Sequence, residues 1–146
     1  MTAKIGAAVI EKVVQRLATT FEASQIHGEN VASDLAEKSA GATYPSVHVH
    51  CDKIINDQME KFRTFSGRVQ VAVEVRLSRD RLEGLTAMVD QYVDALGDVL
   101  SRSRGDWADG MFYGGKYEVV FGAVKHGGKN FIQAAKVIFD IGVSKD

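Results

Sequence analysis

The segment from residue 68 to residue 77 constrains the fold of this chain more than any other. Every odd-numbered position in it is apolar, and the polar residues Gln70, Glu74 and Arg76 stand between them. Successive side chains of a strand point to opposite faces, so this alternation predicts a strand that buries one face and leaves the other in solvent. The pattern is typical of an antiparallel sheet, and neither a buried parallel strand nor an amphipathic helix produces it.

The length and composition are those of an ordinary soluble domain. The chain has 146 residues, 45% hydrophobic and 25% charged, which suffices for one domain with a substantial core. A net charge of -1 provides no general attraction to nucleic acid or to an anionic membrane. The single cysteine, Cys51, excludes an internal disulfide and suits a reducing compartment. We find no secretory signal and no stretch near the roughly 18 apolar residues of a membrane span, and we expect a cytoplasmic protein.

The remaining elements follow from the spacing of apolar residues. A period of about 3.6 residues predicts amphipathic helices over residues 2–20 and 80–100. Alternation predicts three more strands, over residues 46–52, 117–124 and 131–144, with a hairpin turn at residues 125–130. We therefore expect one α+β domain over residues 1–146, in the order α-β-β-α-β-β. Its largely antiparallel, four-stranded sheet carries both helices on one face.

The polar segment over residues 23–43 admits two interpretations. Small and polar residues dominate it, and Gly28 and Gly41 interrupt any regular period. A short helix over residues 30–39 is one interpretation, with Asn30 or Ser33 as its cap. A functional or disordered loop is the other, since a loop of this length is uncommon inside a compact domain.

Residues able to carry chemistry are few, and none forms a catalytic motif. His48, His50 and Asp52 share one face of a predicted strand, at a spacing of about 7 Å between the histidine backbones that would let both imidazoles reach one metal ion. Polar residues on a solvated strand face are the more ordinary interpretation. Cys51 lies on the apolar side of the same strand, where we expect it to pack as a small hydrophobic residue. We predict no catalytic residue, no metal and no cofactor, and hence a protein that is not an enzyme.

Two connections between the predicted elements are unusually apolar. Residues 53–66 link the first two strands, and residues 106–115 follow the second helix. Each is interpreted either as a loop folded over the core or as a subunit interface, because aromatic residues and methionine are enriched in buried interfaces. The candidate interface residues of the two connections are Ile54, Ile55, Met59, Phe62 and Phe65 in the first, and Trp107, Met111, Phe112 and Tyr113 in the second.

The layout resembles that of the tail terminator (tail completion) proteins of long-tailed bacteriophages. An amphipathic N-terminal helix leads through a polar segment to a first strand, and a long connection reaches the alternating strand over residues 68–77. The helix over residues 80–100 follows directly, and a terminal strand pair ends the domain. The resemblance covers nearly the whole chain and consists of layout and composition rather than a signature motif. The polar segment over residues 23–43 is long for this pattern.

The resemblance implies a structural role in the virion. Proteins of this family form a homohexameric ring that caps the head-proximal end of the tail tube and joins the tail to the head. Their partners are other copies of themselves, the tail tube protein and a head-tail connector or head completion protein, with no membrane. DNA meets the ring only by passing through its lumen. A ring requires two non-equivalent contact surfaces on each subunit, and the two apolar connections are our candidates for them.

Two other functions fit the same sequence. A different neck or connector protein of the virion differs from a terminator only in location and partner. A small α+β metal-binding or ligand-binding domain would use His48 and His50, since this scaffold supports many unrelated functions.

Overall fold

The described residues of the chain fold into two helices and one seven-stranded sheet. The computed structural model of the protein describes residues 5–18, 20–21, 26–27, 44–58 and 60–146. In chain order the elements are α1 (Ile5–Leu17), β1 (Ile26–His27), β2 (Ser46–Asn56), β3 (Phe65–Arg79), α2 (Leu82–Arg102), β4 (Gly105–Ala108), β5 (Met111–Phe121), β6 (Lys125–Gly127) and β7 (Asn130–Lys145).

The sheet is antiparallel apart from one short pair. Its strand order is β1-β2-β3-β7-β5-β4, with β6 paired to the start of β7. The long strands β3 and β7 form its centre, and only β1 and β2 run parallel among the described strands. An α+β fold with two helices and a largely antiparallel sheet is thus confirmed. The expected number of four strands is wrong.

Both helices pack on the same face of the sheet. Cys51, Val71, Phe139 and Tyr117 are aligned across four neighbouring strands, and their side chains therefore share one face. At one end of this row the Cys51 sulfur lies close to Gly6 of α1, and at the other end the Tyr117 hydroxyl lies over Gly97 of α2. The two helices thus cover one row of side chains between them.

The core lies between these helices and the sheet. All five odd-numbered positions of the segment 68–77 are at most 1% exposed, which confirms the face predicted to be buried. The buried hydrophobic side chains of α1, α2 and the sheet form one continuous cluster. This cluster fixes the orientation of both helices on the sheet.

The opposite face of β3 is less solvated than the alternation predicts. Glu74 and Arg76, expected in solvent, are only 2% and 3% exposed. The Arg76 guanidinium donates a hydrogen bond to the Glu74 carboxylate, and the Lys136 ammonium lies 3.8 Å from the same carboxylate. Buried charges need such partners. The pairing explains how charged side chains can alternate with apolar ones in β3 although this face is partly covered.

The connection predicted over residues 106–115 is in fact a hairpin. β4 and β5 pair from Gly105 with Tyr113 to Ala108 with Met111. The turn places Ala108, Asp109 and Gly110 at φ of 71°, 55° and 78°, a conformation for which glycine and aspartate are suited. Glycines within a run of aromatic residues favoured the interpretation as a loop, and here they mark the turn and an irregularity of a strand pair instead.

The connection predicted over residues 53–66 is shorter than expected. β2 continues to Asn56 and β3 already begins at Phe65. A register shift between Cys51 and Lys53 interrupts the alternation of β2. The alternation of apolar and polar residues in the sequence therefore ends at Asp52, although the strand continues. Only residues 57–64 remain between the two strands.

The predicted hairpin turn near the C-terminal end of the chain is confirmed. β6 and β7 pair as far as Gly127 with Asn130, and Gly128 adopts a φ of +68° in the turn between them. The helix or loop expected at residues 30–39 lies outside the described residues.

Candidate assembly interface

Apart from Leu82 at the start of α2, the exposed large hydrophobic side chains of the described chain lie in two regions. One is the loop between β2 and β3, together with the end of β2. The other is β5 and the residues that follow it. The exposed side chains of these regions are Ile54 and Phe62 in the first, and Phe112, Tyr117, Val120, Phe121 and Val124 in the second.

The first region is dominated by Phe62, in residues 57–64, which we call the Phe62 loop. Phe62 is 100% exposed and has a φ of 70°. A bulky aromatic residue rarely adopts positive φ, because its Cβ crowds the backbone. The surrounding structure therefore holds this residue in an unfavourable conformation while leaving its ring entirely in solvent.

Hydrogen bonds from Asn56 hold both ends of the Phe62 loop. Its side-chain oxygen accepts from the backbone N–H of Gln58 at 3.3 Å and from that of Ser66 at 3.1 Å. Its amide nitrogen donates to the Thr64 carbonyl at 3.5 Å. One asparagine thus joins the start of the loop to its return into β3.

The far side of the loop is tied to the end of β7. The Glu60 carboxylate accepts hydrogen bonds from Arg63 at 3.2 Å and from the Ser144 hydroxyl at 3.0 Å. Arg63 also donates to the Asp146 carboxylate. These contacts are exposed and individually weak, but together with the Asn56 bonds they give the loop a defined shape.

The second region, the β5 surface, comprises Phe112, Tyr117, Val120, Phe121 and Val124. β4 pairs with β5 only between Met111 and Tyr113. Among the described strands, the stretch from Tyr117 to Phe121 is paired on one side only, by β7. An edge strand exposes side chains on both of its faces, which is why consecutive apolar residues remain in solvent here.

A shallow groove of about 460 Å³ lies beside the β5 surface, on the face of the sheet away from the helices. We call it the β5 groove. Phe112 and Ile138 supply apolar walls, and Arg68, Glu118 and Asp140 supply charge. Gly142, opposite Phe112, contributes no side chain, and the register of β5 shifts between Tyr113 and Tyr117. These two features together explain the depression.

Three of the candidate interface residues in the second predicted connection are core residues. Trp107, Met111 and Tyr113 are only 4%, 3% and 1% exposed. The Trp107 indole N–H donates to the Ser103 carbonyl at 2.6 Å, and the Arg16 guanidinium lies 4.4 Å from its ring centre. These three side chains pack inside the subunit, as the interpretation of a segment folded over the core predicts. Phe112, at 51% exposed, is the one of the four that points outward.

The candidates in the first connection also divide. Phe65 is 6% exposed and belongs to the core, whereas Ile54 on β2 is 49% exposed. Ile55 is half-buried on the same strand, and Met59 lies outside the described residues. An interface role remains a prediction for Ile54, Ile55 and Phe62.

The histidine row on β2 lies on the face away from the helices. His48 is half-buried opposite Glu74, and His50 is 8% exposed, so the expectation of a solvated row is wrong at His50. His50 Nε2 lies 3.3 Å from the Asp52 carboxylate, and its Nδ1 has no hydrogen-bond partner. The described residues contain no group of three or more histidine, cysteine, aspartate or glutamate side chains arranged to hold a metal ion.

Cys51 is half-buried and packs against the core. Burial raises the pKa of its thiol, and the Asp52 carboxylate raises it further, whereas hydrogen bonding with the Lys53 backbone opposes both. A raised pKa lowers the fraction of thiolate at neutral pH, which is the reverse of what a nucleophilic cysteine needs.

Tyr117, Val120, Phe121 and Val124 were not among the predicted interface residues. The run Val119-Val120-Phe121 is the sequence signal for them. Consecutive apolar residues in a strand must lie on both faces, which indicates either full burial or an edge used for contact. The groove carries no local signal, because residues from three strands form it.

Comparison of the chain with protein-family models gives no match, and comparison with curated proteins gives none either. Among the described helices, none combines the length and the apolar character that crossing a membrane requires.

Proposed function

We propose that this protein is a structural component of a bacteriophage virion that forms a ring at the head-proximal end of the tail tube. In this role it terminates the tube and provides the surface that joins the tail to the head. Its partners are further copies of itself, the tube protein and a head-tail connector or head completion protein. The protein assembles in the host cytoplasm, as a hexamer if it follows the family that its layout resembles.

The observation that carries the proposal is the presence of two non-equivalent apolar surfaces on one subunit. The Phe62 loop is a protrusion with a fully exposed ring, whereas the β5 surface consists of apolar side chains on the two faces of an edge strand, beside a groove. Monomeric proteins rarely leave such features in solvent without a contact to make. Surfaces of different shape favour a head-to-tail contact, and head-to-tail contacts close into rings when the rotation between subunits allows.

The charge of the protein supports the same role. A net charge of -1 would not hold DNA inside a ring through which it must pass. Strong binding to phosphates needs clustered lysine and arginine side chains. The arginines of the Phe62 loop and the β5 groove are instead engaged by acids, as Arg63 is by Glu60 and Arg68 by Asp57.

Electron microscopy of the purified protein, alone and mixed with phage tail tubes, tests the proposal directly. We expect rings in solution, or discs on one end of the tubes where the subunit assembles only on its partner. Light scattering gives the mass of any ring and hence the number of subunits. Particles that stay monomeric and leave the tubes uncapped would refute the proposal.

A further inference from the structure

We infer that the Phe62 loop of one copy of this chain inserts into the β5 groove of the next copy. The inference rests on the proposed ring, and it specifies which surface of one subunit meets which surface of its neighbour.

The hydrogen bonds of the Phe62 loop give its backbone a defined shape before any partner arrives. Five hydrogen bonds described above join the loop to Asn56, to Ser144, to Asp146 and within itself. A loop whose backbone is already ordered loses less conformational entropy on binding than a flexible one. Aromatic residues that fill a pocket supply most of the binding energy in many interfaces.

The β5 groove supplies the complementary shape. Phe112 is 51% exposed on one wall, Ile138 is half-buried, and Gly142 leaves room between them. Phe62 of the same subunit does not occupy the groove, because its side chain is fully exposed. Edge-to-face or offset contact with Phe112 would suit an incoming aromatic ring.

The charges beside the loop and the groove are complementary. Lys61 precedes Phe62, and Glu118 lies beside Ile138 across the β5–β7 pair. In the part of the chain that the structure describes, neither Lys61 nor Glu118 takes part in an ion pair, and both are exposed. Neighbouring residues of one chain are about 3.8 Å apart at Cα, and cross-strand neighbours about 5 Å at Cβ. A ring seated against Ile138 would therefore bring Lys61 within reach of Glu118.

A second copy is the occupant that this pairing favours. Lys61 lies next to the protruding Phe62 ring, and Glu118 lies in the β5 groove of the same chain. A head-to-tail contact uses each of them once per subunit, leaving neither unpaired in a closed ring. Charge pairs at the rim of an interface chiefly set its register and specificity.

Charge reversal tests the inference. Assembly of the full chain would be measured by light scattering over a concentration series, for the wild type, Phe62→Ala, Lys61→Glu, Glu118→Lys and the double variant Lys61→Glu/Glu118→Lys. We expect Phe62→Ala to raise the concentration of half-assembly at least about tenfold. Each single charge reversal weakens assembly severalfold, and the double variant restores most of the loss. Leu82→Ala and Lys129→Glu are the matched controls, since both residues are exposed and lie outside the loop and the groove.

The outcomes separate this inference from the proposed function. Assembly that is indifferent to all four loop and groove variants overturns the inference alone. Rings of Phe62→Ala that no longer cap tubes also overturn it, because the loop would then dock on the tube protein. Dimers in place of rings, with the charge pattern intact, support the loop–groove contact and refute the ring. A wild type that neither self-associates nor caps tubes overturns both.

Discussion

Single residues in this protein have opposite roles although they are close neighbours in the sequence. Met111 and Tyr113 are buried, and Phe112 between them is half exposed, because successive side chains of β5 point to opposite faces. The sequence shows the aromatic cluster, but only the pairing of β5 with its neighbours decides which ring is inside.

Aspartate substitutions at Trp107 and at Phe112, made one at a time, should distinguish a core side chain from an exposed one by the loss of stability. Trp107→Asp places an unpaired charge in the core and removes the hydrogen bond to Ser103, a cost of several kcal/mol that is comparable to the stability of a typical domain. Phe112→Asp should change the free energy of unfolding by less than about 1 kcal/mol, since the side chain is exposed. Urea titration followed by circular dichroism measures both. Equal losses in the two variants would contradict the assignment of Phe112 to the surface.

Whole elements were predictable where one face is buried and the other is not. α2 spans Leu82–Arg102 where residues 80–100 were predicted, and β3 contains the whole alternating segment. Two features caused the prediction of strands to fail elsewhere. The irregularity at Cys51 and Lys53 shifts the alternation of β2 by one residue, and the β4–β5 hairpin is built from residues that occur equally in loops. Long-range pairing decides such segments, and a local pattern does not record it.

The candidate site was less predictable than the fold for a related reason. Phe62 and Phe112 were predicted as interface residues because they are aromatic and lie outside a clear helical or strand period. The β5 groove was missed because Arg68, Phe112 and Ile138 are brought together only by the order of β3, β7 and β5. The interface candidates that are in fact buried were predicted by the same criterion, because composition alone does not distinguish a core aromatic residue from an exposed one.

The β4–β5 hairpin depends on the backbone conformation of Gly110 in its turn. Gly110 has a φ of 78°, its carbonyl accepts from the Ser144 N–H at 2.9 Å, and an added Cβ would lie 2.1 Å from the Ser144 carbonyl oxygen. Gly110→Ala should therefore lower the free energy of unfolding by about 1–3 kcal/mol.

Gly84→Ala provides the matched comparison, because Gly84 lies in α2 with nothing within 4 Å of an added Cβ. There the same substitution should stabilise the protein by about 0.5–1 kcal/mol. Thermal and urea unfolding of the two variants measure both signs. A Gly110→Ala variant as stable as the wild type would show that the turn relaxes away from β7.

At the scale of the whole molecule, stability at alkaline pH should depend on Tyr113. Burial, together with a smaller effect of the neighbouring Tyr117, raises the pKa of Tyr113 to about 12, and Arg104 opposes part of the increase. The unfolded chain has the ordinary tyrosine pKa near 10. The folded state therefore binds this proton more tightly, and the associated stability is fully present below about pH 10 and is lost as the pH rises toward 12.

Comparison with Tyr113→Phe isolates this contribution, because other groups titrate alike in both proteins. The difference in free energy of unfolding between the wild type and the variant should stay constant below about pH 10. Above it, the wild type should lose stability relative to the variant. Urea titrations at a series of pH values provide the measurement, and a difference independent of pH up to 12 would contradict a buried phenol.

The half-paired stretch of β5 also has a consequence for the newly made protein. Between Tyr117 and Phe121 it combines tyrosine, valines and phenylalanine with backbone groups that, among the described strands, pair on one side only. Such a stretch is a template for fibril-like association of identical chains. Lys116 and Glu118 are the gatekeeper charges that limit this hazard. Isolated subunits at high concentration should therefore precipitate through this strand, and the assembly that we propose would protect them.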